Sequence, residues 1–440
     1  MKYDVIVIGS GPGGMAAAYG LQEKGQNVAV IEDYLWGGTC PNYGCDPKKI
    51  LMSAVEAKAK VAALQEKGLT GLPTVNWEAL MDFKKSYTDQ IPQRQKGSLA
   101  EAGIATYEGQ ASFVSPHEIQ VGEQVLFAKR FLIATGQRAR PLPISGQEHL
   151  GTSTDFLALA HLPKKIAFVG AGYISIELAT IAHAAGAEVH VIHHNDQPLK
   201  GFDKEMVAAL IAHLQALGII FHFDVSLTEI KKAEGYHLIA PDFDLTVDLV
   251  IGATGRQPNI ESLHLEQAQV AYEKRGILVN EYLQTSQEHI YACGDVVAKD
   301  VPKLTPVASF EASYVVATMT NKAAKPINYP ILPTVVFGDY RLARIGLSEA
   351  ELAKNPGLYH SQVLDLSSWY TYFRINDQGA KLKLVYDQSD HLVAVTCFSS
   401  LADELMNYLV LILNKKITKT EIEKYIFAYP GLANDLGYLL

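Results

Sequence analysis

The chain has 440 residues, 48% hydrophobic and 19% charged, with a net charge of −9. That length allows two or three domains, each with its own core. The acidic balance offers no basic field to nucleic acid or anionic lipid, no apolar run is long enough to span a membrane, and the first residues enter a strand pattern without a secretory leader, so a cytoplasmic protein with neither nucleic-acid nor membrane partners is expected.

The first elements read strand, glycine turn, helix, strand. Residues 4–8 are a β-branched apolar run, as in a strand buried on both faces. Gly9-Ser10-Gly11-Pro12-Gly13-Gly14 follows, then an alanine-rich helical stretch over 15–24 and a strand over 28–31 ending at Glu32. Gly9, Gly11 and Gly14 with an acid about 20 residues on form a dinucleotide fingerprint. The glycines admit the tight turn, the approach to a pyrophosphate and the helix–strand contact, and Glu32 is the expected acceptor for a ribose diol.

Next comes Gly37-Gly38-Thr39-Cys40-Pro41-Asn42-Tyr43-Gly44-Cys45-Asp46-Pro47-Lys48-Lys49. The other cysteines are Cys293 and Cys397. So few cysteines argue against a structural disulfide framework. No Cys/His pair stands nearby at ligand spacing, so no metal site is expected and a redox role is the stronger reading. A helix is expected over 47–57 with Pro47 in its first turn, Cys45 just before it and Lys48 on it. A helix N-terminus and a lysine are what lower a thiol pKa.

A second unit opens with a strand at 166–169, the turn Gly170-Ala171-Gly172-Tyr173-Ile174-Ser175, a helix to residue 185 and a strand at 189–192. Ser175 replaces the third glycine, and His193, His194 and Asn195 stand where an acid would bind the NAD ribose, with Lys200 beyond. The missing carboxylate favours NADPH, with NADH as the alternative. Further strands are expected at 130–133, 249–251 and 290–291. A boundary is expected over 324–333. Strands at 334–337, 380–386 and 392–397, with helices at 402–413 and 419–425, then predict an α+β terminal domain.

Together these motifs resemble the flavoprotein disulfide reductases, the family of glutathione reductase, dihydrolipoamide dehydrogenase and mercuric reductase. The resemblance implies an α/β fold with two Rossmann-like domains, for FAD and NAD(P)H, and a C-terminal α+β dimerisation domain. The expected boundaries are 1–148 and 265–326 for FAD, 149–264 for NAD(P)H and 327–440 for dimerisation. It implies FAD contacts at Gly9, Gly11, Gly14, Glu32, Gly38, Thr39, Lys48, Thr135, Gly136, Asp295 and Ala308. It implies nicotinamide-nucleotide contacts at Gly170, Gly172, Tyr173, Ile174, His193, His194, Lys200, Gly255 and Arg256, with Tyr173 as a gate. Cys40 would be the interchange thiol, Cys45 the thiol facing the flavin, and Lys48 and Glu177 an ion pair beside it. Cys293 and Cys397 would be packed thiols.

The chain departs from that pattern on the acceptor side. Tyr429 and Asn434 stand for the family's His and Glu, and a phenol of pKa about 10 is a poor base near neutrality. Tyr19 and Ser313 stand where glutathione reductases carry carboxylate-gripping arginines. Asp46, beside Cys45, should oppose a thiolate there unless it points to solvent. The expected activity is therefore a homodimeric FAD enzyme passing electrons from NADPH through Cys40 and Cys45 to a small disulfide other than glutathione disulfide. The alternatives are a non-disulfide acceptor, such as a metal ion, quinone or oxidised sulfur species, and a flavin-binding sensor with residual diaphorase activity.

Overall fold

The computed structural model describes residues 1–320 and 325–439, and within them the chain divides into two compact units. The first holds Met1–Lys49, Asp82–Arg140 and Gly255–Asn328; the second holds Ile50–Met81, Pro141–Thr254 and Tyr329–Leu440. Part of the expected boundary at 324–333, residue Ala324, lies outside the described residues. No described helix is long and apolar enough to cross a membrane.

In the first unit, Val5, Ile6 and Val7 have no solvent exposure, because the strand Lys2–Ile8 lies between two parallel neighbours, Val28–Glu32 and Gln124–Ile133. Ala105–Glu108 extends the sheet in parallel beyond Val28–Glu32, and Ile290–Ala292 pairs in parallel with Gln124–Ile133. Glu118–Val121 and Ala111–Ser115 add an antiparallel meander that the sequence pattern did not announce. The helix Pro12–Glu23 starts with proline in its first turn, as its fixed φ and missing N–H allow, and packs against the helix Thr305–Thr320.

The second unit carries a parallel sheet in the order Ile220–His222, Glu188–Ile192, Lys165–Val169, Leu249–Gly252. The helix Tyr173–Ala184 follows Lys165–Val169 as the expected second βαβ opening. An antiparallel ribbon, Glu229–Ala233, Gly235–Ala240 and Phe243–Val247, forms a separate sheet whose Ile230, Leu238 and Val247 share a core with Ala167, Val169 and Val250 of the parallel one. The terminal region is a five-stranded antiparallel sheet ordered Pro333–Val336, Arg341–Gly346, Leu392–Ser399, Lys381–Asp387, Tyr359–Asp365. The helix Ala402–Lys415 lies on it through Ala402, Leu405, Met406 and Leu409, an i, i+3, i+4, i+7 stripe continued by Ile412 and Leu413. The expected helix at 419–425 is one turn only, Lys419–Ile422, held by a Thr418–Glu421 capping box.

Candidate functional site

The glycine fingerprint of the first unit is built by steric necessity. A Cβ on Gly14 would stand 1.9 Å from the Gly9 carbonyl oxygen, so only glycine lets the helix Pro12–Glu23 sit this close to the strand before it. Gly38 has φ 68 and ψ −159, and its Cβ would lie 2.5 Å from Gly11 Cα. The cysteine loop therefore presses directly on the fingerprint. Gly11, the N-cap of that helix, is different: its φ is ordinary, no side chain caps the first turn, and no atom lies within 4 Å of a Cβ there. Uncapped helix amides facing open space form a cradle for an anion such as a pyrophosphate, so the residues present fit a bound dinucleotide.

Glu32 is buried and its carboxylate already takes four donors. Oε2 accepts from Ser10 N at 2.8 Å and Ser10 Oγ at 2.6 Å, and Oε1 accepts from Asp33 N at 3.1 Å and Tyr34 N at 3.0 Å. Ser10 Oγ in turn accepts from Gly37 N at 2.9 Å. Burial pushes the Glu32 carboxyl above its ordinary range, against those bonds. A ribose diol at Glu32 has to share its oxygens with these donors, a constraint not legible in the motif alone.

Thr135 and Gly136 follow the strand Gln124–Ile133, and Thr135 is tied to Asn259 by two bonds: Thr135 Oγ1 donates to Asn259 O at 2.7 Å and Asn259 Nδ2 to Thr135 O at 2.8 Å. Arg256 donates to the Gln137 carbonyl, and Gly255 accepts from Arg140 N. Asp295 sits in the turn after Ile290–Ala292; burial pushes its carboxyl up, against the charges of Arg256, Lys299 and Lys303. Behind this turn lies a pair the motif reading missed. Lys299 and Glu311 form a buried ion pair, and Glu311 Oε2 also accepts from Gly294 N at 2.7 Å. Ala308 backs the fingerprint helix, with its carbonyl 3.3 Å from where a Gly13 Cβ would be. Cys293 is buried there, its thiol pushed up to about 12 by burial, and Cys397 is buried in the terminal sheet with its thiol raised for the same reason. Both are inert packed thiols.

The redox loop differs from expectation in three ways. Cys40 lies in a short helix, Thr39–Tyr43, which the sequence did not predict. Cys45 does not precede the next helix; it opens it, in Cys45–Ala63. Asp46 opposes a Cys45 thiolate as expected, but it is also held beside Cys40. Its Oδ1 is 3.7 Å from Cys40 Sγ as hydrogen-bond acceptor, and its Oδ2 accepts from Tyr87 Oη at 2.8 Å. Cys45 Sγ lies 3.5 Å from Thr305 Oγ1. The thiols are free and shift in opposite directions. The Cys40 contact, the Thr305 hydroxyl and the Lys48 charge lower Cys45 to about 6 against the cost of burial and the Asp46 charge. The same Cys45 contact, burial and the Asp46 charge raise Cys40.

In the second unit, Gly170 and Gly172 repeat the first fingerprint: a Gly170 Cβ would meet Ala253 O at 2.5 Å, while Gly172 caps Tyr173–Ala184 without a side chain and faces open space. Ile174 is half-buried, Tyr173 is exposed, and buried Ser175 fills the third glycine position. Glu177 is buried and its Oε1 accepts from Phe337 N at 2.9 Å; Lys48 belongs to the other unit. Beyond the strand Glu188–Ile192, His193 Nε2 is 3.3 Å from Gln197 O and burial lowers its pKa, so it is a neutral ring and not a cation. His194 and Lys200 are exposed. Tyr429 is 75% exposed and stacks on Tyr370 at 6.1 Å, while Asn434 and Asp435 lie in the helix Leu432–Leu439. Tyr19 is half-buried on the fingerprint helix, and Ser313 Oγ donates back to Ser309 O at 3.0 Å, so neither position supplies a cation.

Residues 3–312 match the family described as pyridine nucleotide-disulphide oxidoreductase, and residues 332–439 match its dimerisation domain. Glutathione reductase of Burkholderia cepacia is 31% identical over 98% of this chain and 97% of its own. Mercuric reductase of Staphylococcus aureus is 31% identical over 99% of this chain and 81% of its own. Dihydrolipoyl dehydrogenase of Bacillus subtilis is 29% identical over 98% and 94%. Among solved structures, a Cu(II) complex of the HOCl-induced flavoprotein disulfide reductase RclA from Escherichia coli superposes with a TM-score of 0.90 at 24% identity, covering 100% of this chain and 99% of that one. The chain therefore belongs to the pyridine nucleotide-disulphide oxidoreductases, FAD-dependent enzymes that use a pyridine nucleotide.

Proposed function

We propose that this enzyme is a cytoplasmic homodimer that uses NADPH to reduce a small disulfide other than glutathione disulfide, through Cys40 and Cys45. The observation that carries this reading is the placement of the two thiols: Cys45 opens the helix Cys45–Ala63 with Thr305 Oγ1 3.5 Å from its sulfur, while Cys40 Sγ lies 3.7 Å from the Asp46 carboxylate, and the two thiols shift in opposite directions. A thiolate held at Cys45 and a neutral thiol at Cys40 divide the labour between the flavin side and the acceptor side. Bound flavin supplies the conversion of a nicotinamide hydride into an electron pair for a disulfide.

Gly9, Gly11, Gly14, Glu32, Gly38, Thr39, Thr135, Gly136, Asp295 and Ala308 are the residues assigned to FAD, with Lys48 charge-stabilising its reactive end and Glu177 orienting Lys48. Gly170, Gly172, Tyr173, Ile174, Gly255 and Arg256 are assigned to the nicotinamide nucleotide. The NADPH preference rests on Ile192 ending its strand without a following carboxylate and on exposed His194 and Lys200; neutral His193 adds no charge. Tyr429 takes the place of the family's acid/base histidine as a hydrogen-bond donor. Uncharged Tyr19 and Ser313 argue against an anionic peptide disulfide.

A second reading, a metal ion as acceptor, is favoured by the carboxylate beside Cys40 and by likeness to a mercuric reductase. An acceptor screen with NADPH and NADH side by side separates the two. Cys40→Ser should keep flavin reduction by the nicotinamide and lose acceptor turnover; turnover that survives refutes the dithiol route. A monomer in sedimentation velocity removes the homodimer.

A further inference from the structure

We propose that Asp46 makes the acceptor side of Cys40 selective for cationic over anionic disulfides, with Tyr87 as the residue that positions it. The inference rests on the reading of Cys40 as the thiol that meets the acceptor. Asp46 Oδ1 is 3.7 Å from Cys40 Sγ, and its Oδ2 is fixed by the Tyr87 hydroxyl at 2.8 Å. An acid in the first turn of a helix is ordinarily explained by the helix dipole. That role is met by a carboxylate turned to solvent and does not require both oxygens to be engaged, one of them by the nucleophilic sulfur. Tyr87 comes from a different helix, Trp77–Thr88, so the contact is tertiary and not a local accident of the turn.

The groups that face this sulfur are Asp46, Cys45 and Thr305, with Lys48 acting on Cys45 and Arg94 acting on Tyr87. The fixed charge nearest the attacking sulfur is therefore negative. Attack joins Cys40 Sγ to one acceptor sulfur and breaks the acceptor S–S bond. The Cys40 thiol proton goes to the departing thiolate. The Cys45 thiolate then attacks Cys40 Sγ, closing the Cys40–Cys45 disulfide and expelling the second half as a thiolate. Two electrons pass from the dithiol to the acceptor, and the family's nicotinamide–flavin route restores the dithiol. With Asp46 Oδ1 3.7 Å from Cys40 Sγ and an S–S bond of about 2 Å, the attacked acceptor sulfur lies within roughly 6 Å of the carboxylate. Coulomb's law at that range changes the encounter by roughly three- to hundredfold per unit charge, for effective dielectrics between about 80 and 20.

The test uses the holoenzyme with NADPH and three disulfides of similar size: cystamine (cationic), 2-hydroxyethyl disulfide (neutral) and 3,3′-dithiodipropionate (anionic). In the wild type, kcat/KM should rank in that order, and the gap should narrow as salt is added. Asp46→Asn should reduce the cystamine-to-dithiodipropionate ratio by about tenfold or more, with the neutral disulfide as normaliser. Tyr87→Phe should shift the same ratio in the same direction by less, whereas a purely structural role would lower all three rates together. As a readout independent of turnover, the ratio of iodoacetamide to iodoacetate alkylation at Cys40 in the reduced protein should fall in Asp46→Asn. An unchanged charge ratio in both measurements overturns the proposal. Turnover of all three disulfides by Cys40→Ser would instead sink the reading beneath it.

Discussion

The two glycines that meet at the base of the redox loop give a test that separates folding from cofactor binding. Gly38→Ala places a methyl 2.5 Å from Gly11 Cα and 3.0 Å from Gly11 N, at φ 68 and ψ −159. That backbone region is nearly glycine-only and costs about 1–3 kcal/mol for other residues. The clash is with backbone, which cannot rotate away, and overpacking of this kind adds about 1–3 kcal/mol more. Gly11→Ala has an ordinary φ of −64 and no atom within 4 Å of its Cβ, so its folding cost should stay below about 1 kcal/mol. Its methyl instead enters the space in front of the uncapped helix amides. Loss of one charge-assisted bond to a phosphate there is worth about 1.5–3 kcal/mol, or roughly ten- to hundredfold in affinity. The assay is thermal unfolding of the flavin-stripped proteins beside FAD titration by fluorescence quenching. Gly38→Ala should lower the melting temperature of the stripped protein by several degrees. Gly11→Ala should melt near the wild type and bind FAD weakly. Native FAD affinity in Gly11→Ala would show that the cradle does not hold the pyrophosphate, and native stability in Gly38→Ala would remove the close approach.

The thiol of Cys45 is lowered from 9.0 to about 6, so its iodoacetamide alkylation should titrate near pH 6. By linkage this shift stabilises the reduced fold fully above pH 9.0, and the gain drains away as pH falls towards about 6. Cys40→Ala should raise the midpoint most and Thr305→Val less; a wild-type midpoint near the ordinary value of about 8.5 would refute the assignment. Lys299→Met leaves Glu311 buried without its cation and should cost about 3–5 kcal/mol in urea unfolding, with Glu311→Gln milder because its carbonyl still accepts from Gly294. Tyr429→His restores an imidazole of pKa about 6.5 and should raise disulfide turnover near neutrality by about tenfold or more; no gain would mean that this side chain does not serve Cys40.

What could be read from the chain were features enforced by neighbours in sequence. The strands at Lys2–Ile8 and Lys165–Val169 are β-branched because both faces are buried, and the glycines are forced by contacts within one βαβ unit. The features that escaped depend on residues far apart along the chain. Asp46 takes its direction from Tyr87, Cys45 gains a hydroxyl from Thr305, and Gly294 is held by Glu311. The helix start at Cys45 also escaped, because Pro47 marks a first turn without saying which residue opens it. The antiparallel strand Glu118–Val121 escaped because its exposed face dilutes the apolar pattern.

The carboxylate at position 46 changes what the cysteine pair can be. Where a histidine serves the interchange thiol, a cation can draw the thiolate towards the acceptor. Here the Cys45 contact and burial, with the Asp46 charge added to them, hold the proton on Cys40, while Thr305 and Lys48 favour the charge on Cys45. The resting dithiol is polarised towards the flavin side, so thiolate attack on the acceptor requires the Cys40 proton to leave in the encounter itself. Acceptors whose departing half takes that proton readily, and whose own charge is not negative, meet the lowest barrier. Asp46 adds to the reluctance of Cys40 and thus narrows its partners, and the uncharged Tyr19, Ser313 and Tyr429, standing in the sequence where the resemblance expects arginines and a histidine, agree with that narrowing.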